Sequence, residues 1–286
     1  MRKFLSNKLT LITLLVLGTL LVIGINKYGF SYSQAANIAP LGNTLQDRIS
    51  LPDGYQRLPA EPNSIATYFR QLPLKPSTSK VYLYNGQEKW NQNAHAAVLD
   101  YDIGKKDLLQ CADAAMMLQA EYLYHTSQAA KIHFNFTNGF VFYYSKWKDG
   151  FRPSSNYKTW VKKQTADNSY ASFRKYLDMA YTYAGSSSLS KELKHVPITD
   201  MKIGDVLVIG GFPGHVVTVM DMAINTKTNQ KIYLLSQSYM PAQQVHILKN
   251  LEESALSPWY TLPTSNGTIH TPEYTFETTD LMRFNF

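Results

Sequence analysis

The sequence has 286 residues and a single cysteine, Cys111. One cysteine cannot close an internal disulfide, so packing and polar contacts must stabilise the chain without a covalent cross-link. A free cysteine often packs in a core as a small hydrophobic residue. An unpaired thiol is also a candidate reactive group. Both interpretations of Cys111 are open from composition alone.

Sequence motifs that bind metals or phosphates are missing as well. The sequence has no HxH, HExxH or CxxC pattern, and such spacings bring imidazoles or thiolates together around one ion. The glycine-rich stretch at 210–214 lies between two predicted strands, and no helix follows it as a phosphate loop would require. We therefore predict neither a metal nor any other cofactor.

The excess of positive charge is small once the start of the chain is set aside. Four of the 28 Lys and Arg residues fall in the first 36 positions, which contain no acid, so residues 37–286 carry 24 basic and 21 acidic side chains. A nucleic-acid-binding face needs a dense stripe of Lys and Arg, and the sequence has none. We predict no nucleic-acid partner.

The first 36 residues have the pattern of an export signal. Basic residues precede an uncharged apolar run at 9–25, and the polar stretch that follows ends in Ala35 and Ala36. This order is typical of a secretory signal, and a run of about 17 residues also approaches the length that spans a bilayer. We predict an exported protein, either cleaved near Ala35 or Ala36 and periplasmic, or held by residues 9–25 with the remainder facing the periplasm. Membrane contact is expected only in the second case.

Residues 37–286 are long enough for one domain with a large core. Within it, Asp107 and Gln110 have the spacing of a capping box, and strong helix formers follow them. We therefore predict a helix from Asp107 to His125 with Cys111 in its first turn. The other elements expected before residue 200 are an arm at 37–80 with a helix at 64–71, strands at 81–86 and 95–102, aromatic strands within 131–160, a helix at 168–183 and a loop at 185–197.

The last third of the chain has the clearest strand pattern. Three apolar runs at 204–211, 215–223 and 231–240 are separated by short turns, which predicts an antiparallel β-meander. His215 opens the middle strand of this meander.

Cys111 and His215 together have the residue types and the order of a nucleophilic site. The unpaired N–H groups at a helix N-terminus favour a thiolate. An imidazole within hydrogen-bond reach can take the thiol proton and later return it to a leaving group, and a third polar side chain can orient that imidazole.

The segment at 197–221, PITDMKIGDVLVIGGFPGHVVTVMD, resembles papain-like bacterial cell-wall cysteine hydrolases of the CHAP and NlpC type. The resemblance implies an α+β fold with a papain-like core, in which a helix bearing Cys111 packs on an antiparallel meander, so that residues 131–198 would be an insertion. It makes Cys111 the nucleophile and His215 the general base. The third catalytic residue is expected on the next strand, with Gln237 as first choice and Ser238 as second.

The whole chain, including its LPDGYQRLPA and SYMPAQ segments, also resembles a family of exported Bacteroidetes proteins described as a domain of unknown function. That second resemblance implies no activity.

Two functional hypotheses follow. The first is an exported cysteine amidase or endopeptidase that cleaves an amide bond in a peptide or in peptidoglycan, with the Cys111 N–H and Gln110 holding the oxyanion. The second is a non-catalytic envelope-binding protein on the same fold, with the aromatic segment His133–Trp160 as its working surface.

Overall fold

A computed structural model describes residues 38–286 of the chain. The predicted export signal, its cleavage site and the alternative anchor lie outside the described residues. Within 38–286 the structure contains no helix long and apolar enough to cross a membrane. All described residues belong to one compact unit that extends over 36–286.

The centre of this unit is a nine-stranded sheet in which every pairing is antiparallel. Seven strands follow one another across the sheet: β2 (His95–Val98), β11 (His246–Leu248), β10 (Lys231–Gln237), β9 (His215–Asn225), β8 (Val206–Ile209), β15 (Leu281–Arg283) and β7 (Lys194–His195). Two further strands add to it, since β1 (Tyr55–Arg57) pairs with β9 and β12 (Tyr260–Thr261) pairs with β10.

Strands β8, β9 and β10 form the predicted meander. Ile209 pairs with His215 across the first turn, and Ser236 pairs with Thr218 across the second. Strand β9 is buried on both faces, because Val216 and Met220 belong to one apolar cluster and Val217 belongs to the other. Burial on both sides explains why the strand is continuously apolar and lacks polar alternation.

The helices and the smaller sheets cover the faces of the main sheet. The helices are α1 (Leu45–Arg48), α2 (Ile65–Arg70), α3 (Cys111–His125), α4 (Tyr144–Lys148), α5 (Tyr170–Tyr183) and α6 (Ser186–Glu192). The two-stranded sheets pair β3 (His133–Asn135) with β4 (Val141–Tyr143), β5 (Phe151–Pro153) with β6 (Trp160–Lys162), and β13 (Thr268–His270) with β14 (Thr275–Glu277). The predicted α+β class is confirmed.

Helix α3 packs on strand β9 and ends at His125 as predicted, but it begins four residues later than expected. The Asp107 carboxylate does not cap it, because this group accepts hydrogen bonds from the Gln110 amide at 3.0 Å and from the Ala242 N–H at 2.7 Å. The Asp113 carboxylate closes the helix start instead, by accepting the Gln110 N–H at 3.0 Å. Cys111 is consequently the first helical residue.

The other sequence predictions met mixed outcomes. Helix α2, with Ser64 as its N-cap, and the strands around the TNG turn at 137–139 are confirmed. Residues 81–86 are not a regular strand, because Tyr82 and Leu83 form isolated bridges only. The loop predicted at 185–197 was wrong in its first half, where α6 forms.

The aromatic segment His133–Trp160 is mostly core. Phe134, Phe142 and Tyr144 are fully buried, and the Phe142 ring stacks on Tyr176 of α5 with 4.5 Å between centroids. Rings buried against each other present no open face, but Tyr143 in the same segment is 40% exposed. The expectation that this segment offers a stacking surface for a ligand stays a prediction. Residues 131–198 add only strand β7 to the main sheet.

A buried ion pair joins the N-terminal arm to the meander. Asp221, in the middle of β9, is fully buried, and its carboxylate accepts hydrogen bonds from Arg57 at 2.7 Å and from Arg70 at 2.8 Å. Two guanidinium groups satisfy one buried carboxylate and hold strand β1 and helix α2 against β9.

We predict that Asp221→Asn lowers the free energy of unfolding by about 3 kcal/mol, because it leaves two arginines beside a group without charge. Urea denaturation would measure the change. Asp100→Asn is the matched control, since Asp100 is exposed and pairs with Lys75 at 3.5 Å; its cost should stay below about 1 kcal/mol. An equal loss of unfolding free energy in the two variants would show that the buried ion pair stabilises the fold no more than the exposed one.

Candidate functional site

A cleft of about 390 Å³ opens between the start of α3, the β8–β9 turn and the loop before α6. Cys111 and His215 both line it. The complete lining is Gln110, Cys111, Ala112, Asp113, Tyr181, Ala184, Gly185, Ser186, Ser187, Gly211, Phe212, Pro213, Gly214, His215, Tyr239, Met240 and Tyr274. The topology thus brings the predicted nucleophile and base, 104 positions apart in sequence, to one surface.

The Cys111 thiol lies where the helix start meets strand β9. The backbone N–H groups of Val216, Ala112 and Cys111 act on the thiol with their partial positive charge and favour its ionised form. Val216 follows His215 directly, so its N–H places the sulfur beside the first residues of β9. The two other N–H groups are among those that a helix N-terminus leaves without intrahelical partners.

His215 is buried, and its Nε2 lies 2.8 Å from Oε1 of Gln237. The rings of Tyr239 and Tyr274 pack on its imidazole with centroid distances of 4.7 Å and 4.8 Å. Gln237 ends strand β10, next to the start of β9, so sheet pairing alone positions it beside His215. The imidazole is therefore held by one hydrogen bond and two aromatic rings.

The amide of Gln237 has its orientation set by a buried ion pair. Its Nε2 donates to the Glu273 carboxylate at 2.7 Å, and Lys89 Nζ donates to the same carboxylate at 2.6 Å. A carboxylate accepts and cannot donate, so the amide must present NH₂ to Glu273 and its carbonyl to His215. A carbonyl accepts only, so His215 must carry its proton on Nε2. Nδ1 is then left as the basic nitrogen.

Ser238, the second choice for the third residue, has a different role. Its oxygen lies 2.8 Å from both the Leu109 and the Gln243 carbonyl oxygens, which share its one proton, and it accepts the Gln243 N–H at 3.2 Å. These bonds tie the residues just before Cys111 to the loop after β10. Asp205 is also structural, since it forms a two-bond ion pair with Arg283 at 2.6 and 2.8 Å.

Burial shifts both reactive groups toward their neutral forms. It raises the pKa of the Cys111 thiol to about 11; the Asp113 charge adds to this rise, while the three backbone N–H groups oppose it. Burial also lowers the pKa of His215 to about 4; the bond to Gln237 opposes this fall and the Lys89 charge adds to it. The expectation of a thiolate favoured by the helix N-terminus was wrong for the folded chain, because desolvation outweighs the backbone donors.

Four residues of this site were not found from sequence: Lys89, Tyr239, Glu273 and Tyr274. Glu273 and Tyr274 lie in the turn between β13 and β14, and Lys89 lies in an irregular stretch before β2. Neither segment has a periodic pattern or a motif that would single these residues out. Among residues 38–286, no three His, Cys, Asp or Glu side chains are grouped so that they could hold a metal ion.

Comparison with known families covers almost the whole described chain. A family model described as "Domain of unknown function (4846)" matches residues 45–283. The chain belongs to this family. The match contains Cys111, His215, Gln237, Glu273 and Lys89, so the whole site lies within the family's domain. Searches of curated proteins and of solved structures found no match.

We predict that His215 is a neutral, Nε2-protonated imidazole from about pH 8 down to about pH 5, and that it titrates near pH 4, because burial lowers its pKa to about 4. Long-range ¹H–¹⁵N correlation spectra would show both the tautomer and the titration. Gln237→Leu removes the acceptor and should allow the Nδ1-protonated form to appear. An Nδ1–H tautomer in the unsubstituted protein would contradict the network described above.

For Cys111, we predict that alkylation by iodoacetamide is slower than for glutathione near neutral pH and accelerates continuously up to about pH 10, since only the thiolate reacts and burial raises the thiol pKa. Mass spectrometry of timed samples would give the rates, and Cys111→Ala gives the blank. A fast rate that is already constant near pH 5 would instead indicate a preformed thiolate–imidazolium pair.

Proposed function

We propose that this protein is a cysteine hydrolase that cleaves an amide bond, with Cys111 as nucleophile, His215 as general base and Gln237 as the residue that orients His215. The observation that carries the proposal is the 2.8 Å contact between His215 Nε2 and Gln237 Oε1 in the cleft that Cys111 lines. It leaves Nδ1 as the nitrogen that can accept the thiol proton. A helix bearing the cysteine and a meander bearing the histidine and the glutamine also agree with a papain-like core.

The reaction starts from neutral groups. As the sulfur attacks the substrate carbonyl carbon, the thiol proton passes to His215 Nδ1 and a tetrahedral oxyanion forms. The imidazolium then gives that proton to the departing nitrogen, the C–N bond breaks, and an acyl thioester remains on Cys111. Water attacks the thioester while Nδ1 takes a water proton; the C–S bond breaks, the acid product leaves, and the thiolate recovers the proton.

Glu273 supports the charged stage of this cycle without touching the imidazole. Its carboxylate accepts from Gln237 Nε2, which increases the negative charge on Oε1, the atom that faces His215. Lys89 neutralises the buried Glu273 carboxylate through its ion pair. A glutamine in the third position thereby obtains part of the stabilising effect that a carboxylate would give to imidazolium.

The oxyanion is assigned to the start of α3. The Cys111 N–H belongs to the first turn of the helix, whose donors and dipole favour negative charge. Gln110 lines the same cleft and is the second donor in this proposal. Its Nε2 already donates to Asp107, which holds the side chain in place.

For the substrate we propose a peptide bond in the cell envelope, with the peptide stems of peptidoglycan as the main target and export as the route to it. The export pattern of residues 1–36 and the resemblance to cell-wall hydrolases support this choice. Phe212 is 90% exposed and Met240 is 51% exposed, and both line the cleft. They offer apolar contacts to a peptide substrate bound in an extended conformation.

We predict that the purified protein releases peptide fragments from sacculi or their isolated stem peptides, and that Cys111→Ala releases none. His215→Ala should lose at least about a hundredfold in rate, because general base catalysis contributes that much or more. Mass spectrometry would identify the new amine and carboxyl ends. His270→Ala, which removes an exposed histidine outside the cleft, is the matched control and should retain full activity.

Fragment release by Cys111→Ala equal to that of the unsubstituted protein would remove Cys111 from the chemistry. Retention of the protein on sacculi, with no cleavage of any peptide or amide, would favour the non-catalytic envelope-binding hypothesis.

A further inference from the structure

Two residues that line the cleft each have a polar atom without a hydrogen-bond partner. The atoms are Oδ1 of Asp113 and the hydroxyl oxygen of Tyr181, and both are buried. Asp113 uses only its other oxygen, Oδ2, to accept the Gln110 N–H. A buried polar group without a partner costs free energy, and native proteins contain few of them. Two such groups on the wall of one cleft point to a ligand that supplies their partners.

The chemistry of the pair selects the kind of ligand. A carboxylate oxygen accepts hydrogen bonds, and a phenol oxygen can accept one as well. No Lys or Arg lines the cleft, and no described cation forms an ion pair with Asp113. Burial raises the pKa of the Asp113 carboxyl well above its ordinary value. A group with positive charge and several N–H donors would return it to the carboxylate form and give the neighbouring phenol a partner.

We propose that Asp113 and Tyr181 form a subsite that binds a protonated amine of the substrate next to the bond that is cleaved. That this amine belongs to a substrate rests on the proposed function. The binding of an alkylammonium group at Asp113 and Tyr181 does not depend on it. Cys111 and Asp113 line the same cleft, so an ammonium group held here lies near the sulfur.

Binding of the amine also acts on the nucleophile. The Asp113 charge is one of the causes that raise the pKa of the Cys111 thiol. An ammonium group paired with Asp113 cancels that charge and so removes one of the causes that raise the thiol pKa. The correct substrate therefore activates the thiol by occupying the subsite, and a neutral analogue does not.

Three methanethiosulfonate reagents test the subsite without any hydrolysis. The 2-aminoethyl reagent is cationic, the methyl reagent is neutral and the 2-sulfonatoethyl reagent is anionic; each transfers its thioalkyl group to the Cys111 thiolate and releases methanesulfinate. Rates are divided by those for free cysteine. We expect the cationic reagent to be favoured over the neutral one by about tenfold or more, and the anionic reagent to be the slowest.

Substitutions then assign the preference to its residues. Asp113→Asn keeps an oxygen for the Gln110 N–H but removes the charge, and should abolish the preference for the cation. Tyr181→Phe should reduce it. Asp178→Asn and Tyr183→Phe, both on α5 and outside the cleft lining, are the matched controls and should keep it. Circular dichroism would verify that each variant is folded.

Peptide substrates distinguish the two sources of such an amine. An N-terminally free peptide is compared with its acetylated form, and a lysine peptide with its norleucine form. In one of these pairs, kcat/KM for the peptide with the free amine should exceed that for its neutral form by about tenfold or more, and this ratio should be lost in Asp113→Asn. The acetylated pair would identify an α-amino group, and the norleucine pair a side-chain amine.

Any of three results would overturn the subsite. The first is a set of reagent ratios equal to those of free cysteine, and the second is a preference for the cation that survives Asp113→Asn. The third is the failure of all three reagents to react with Cys111 in the native protein. An absence of peptide hydrolysis would contradict the proposed function only, because the labelling ratios do not depend on it.

Discussion

The packing of helix α3 on strand β9 places the backbone N–H of Val216 beside the Cys111 thiol, where it favours the thiolate. The long helix lies on the meander, and its first turn points at the place where the middle strand emerges from the β8–β9 turn. The cleft, the proposed nucleophile Cys111 and the proposed base His215 all meet at this contact. The remaining strands and helices bury both faces of the sheet and hold the contact in place.

Three ionisable groups of the site have pKa values that are shifted toward their uncharged forms. The His215 imidazole, the Cys111 thiol and the Asp113 carboxyl are all desolvated, and burial moves the pKa of each in the direction of its uncharged form. The ion pair between Lys89 and Glu273 is the charged component, and it contacts the imidazole only through Gln237. Such a site gains charge during a reaction, from its substrate or by proton transfer within the cleft.

The parts of this arrangement that follow local rules were predictable from sequence. Turn residues and apolar runs predicted the meander, and helix-forming residues predicted α3 with Cys111 in its first turn. The position of Gln237 followed from its place on the strand after His215. Glu273 and Lys89 could not be found in this way, because each reaches the site from an irregular segment whose course is set by tertiary packing.

Two local sequence signals led to a different structure for the same physical reason. The Asp107–Gln110 pattern suits a helix cap, but tertiary contact with Ala242 gives the Asp107 carboxylate another partner and the helix begins later. The aromatic residues between 133 and 160 suit a binding face, but the same rings also suit a core, and composition does not separate these outcomes. In both cases a local signal was overridden by contacts between distant parts of the chain.

The Ser238 hydroxyl has a consequence for how the surrounding chain can vary. By holding the Leu109 carbonyl, it fixes the entrance to α3 two residues before the thiol, and by holding Gln243 it fixes the loop after β10. Residues 102–106, farther upstream, lie outside this clamp and are mostly exposed. Insertions or deletions in that stretch should leave the thiol in register with the imidazole, so relatives can differ in loop length here while they keep the same cleft.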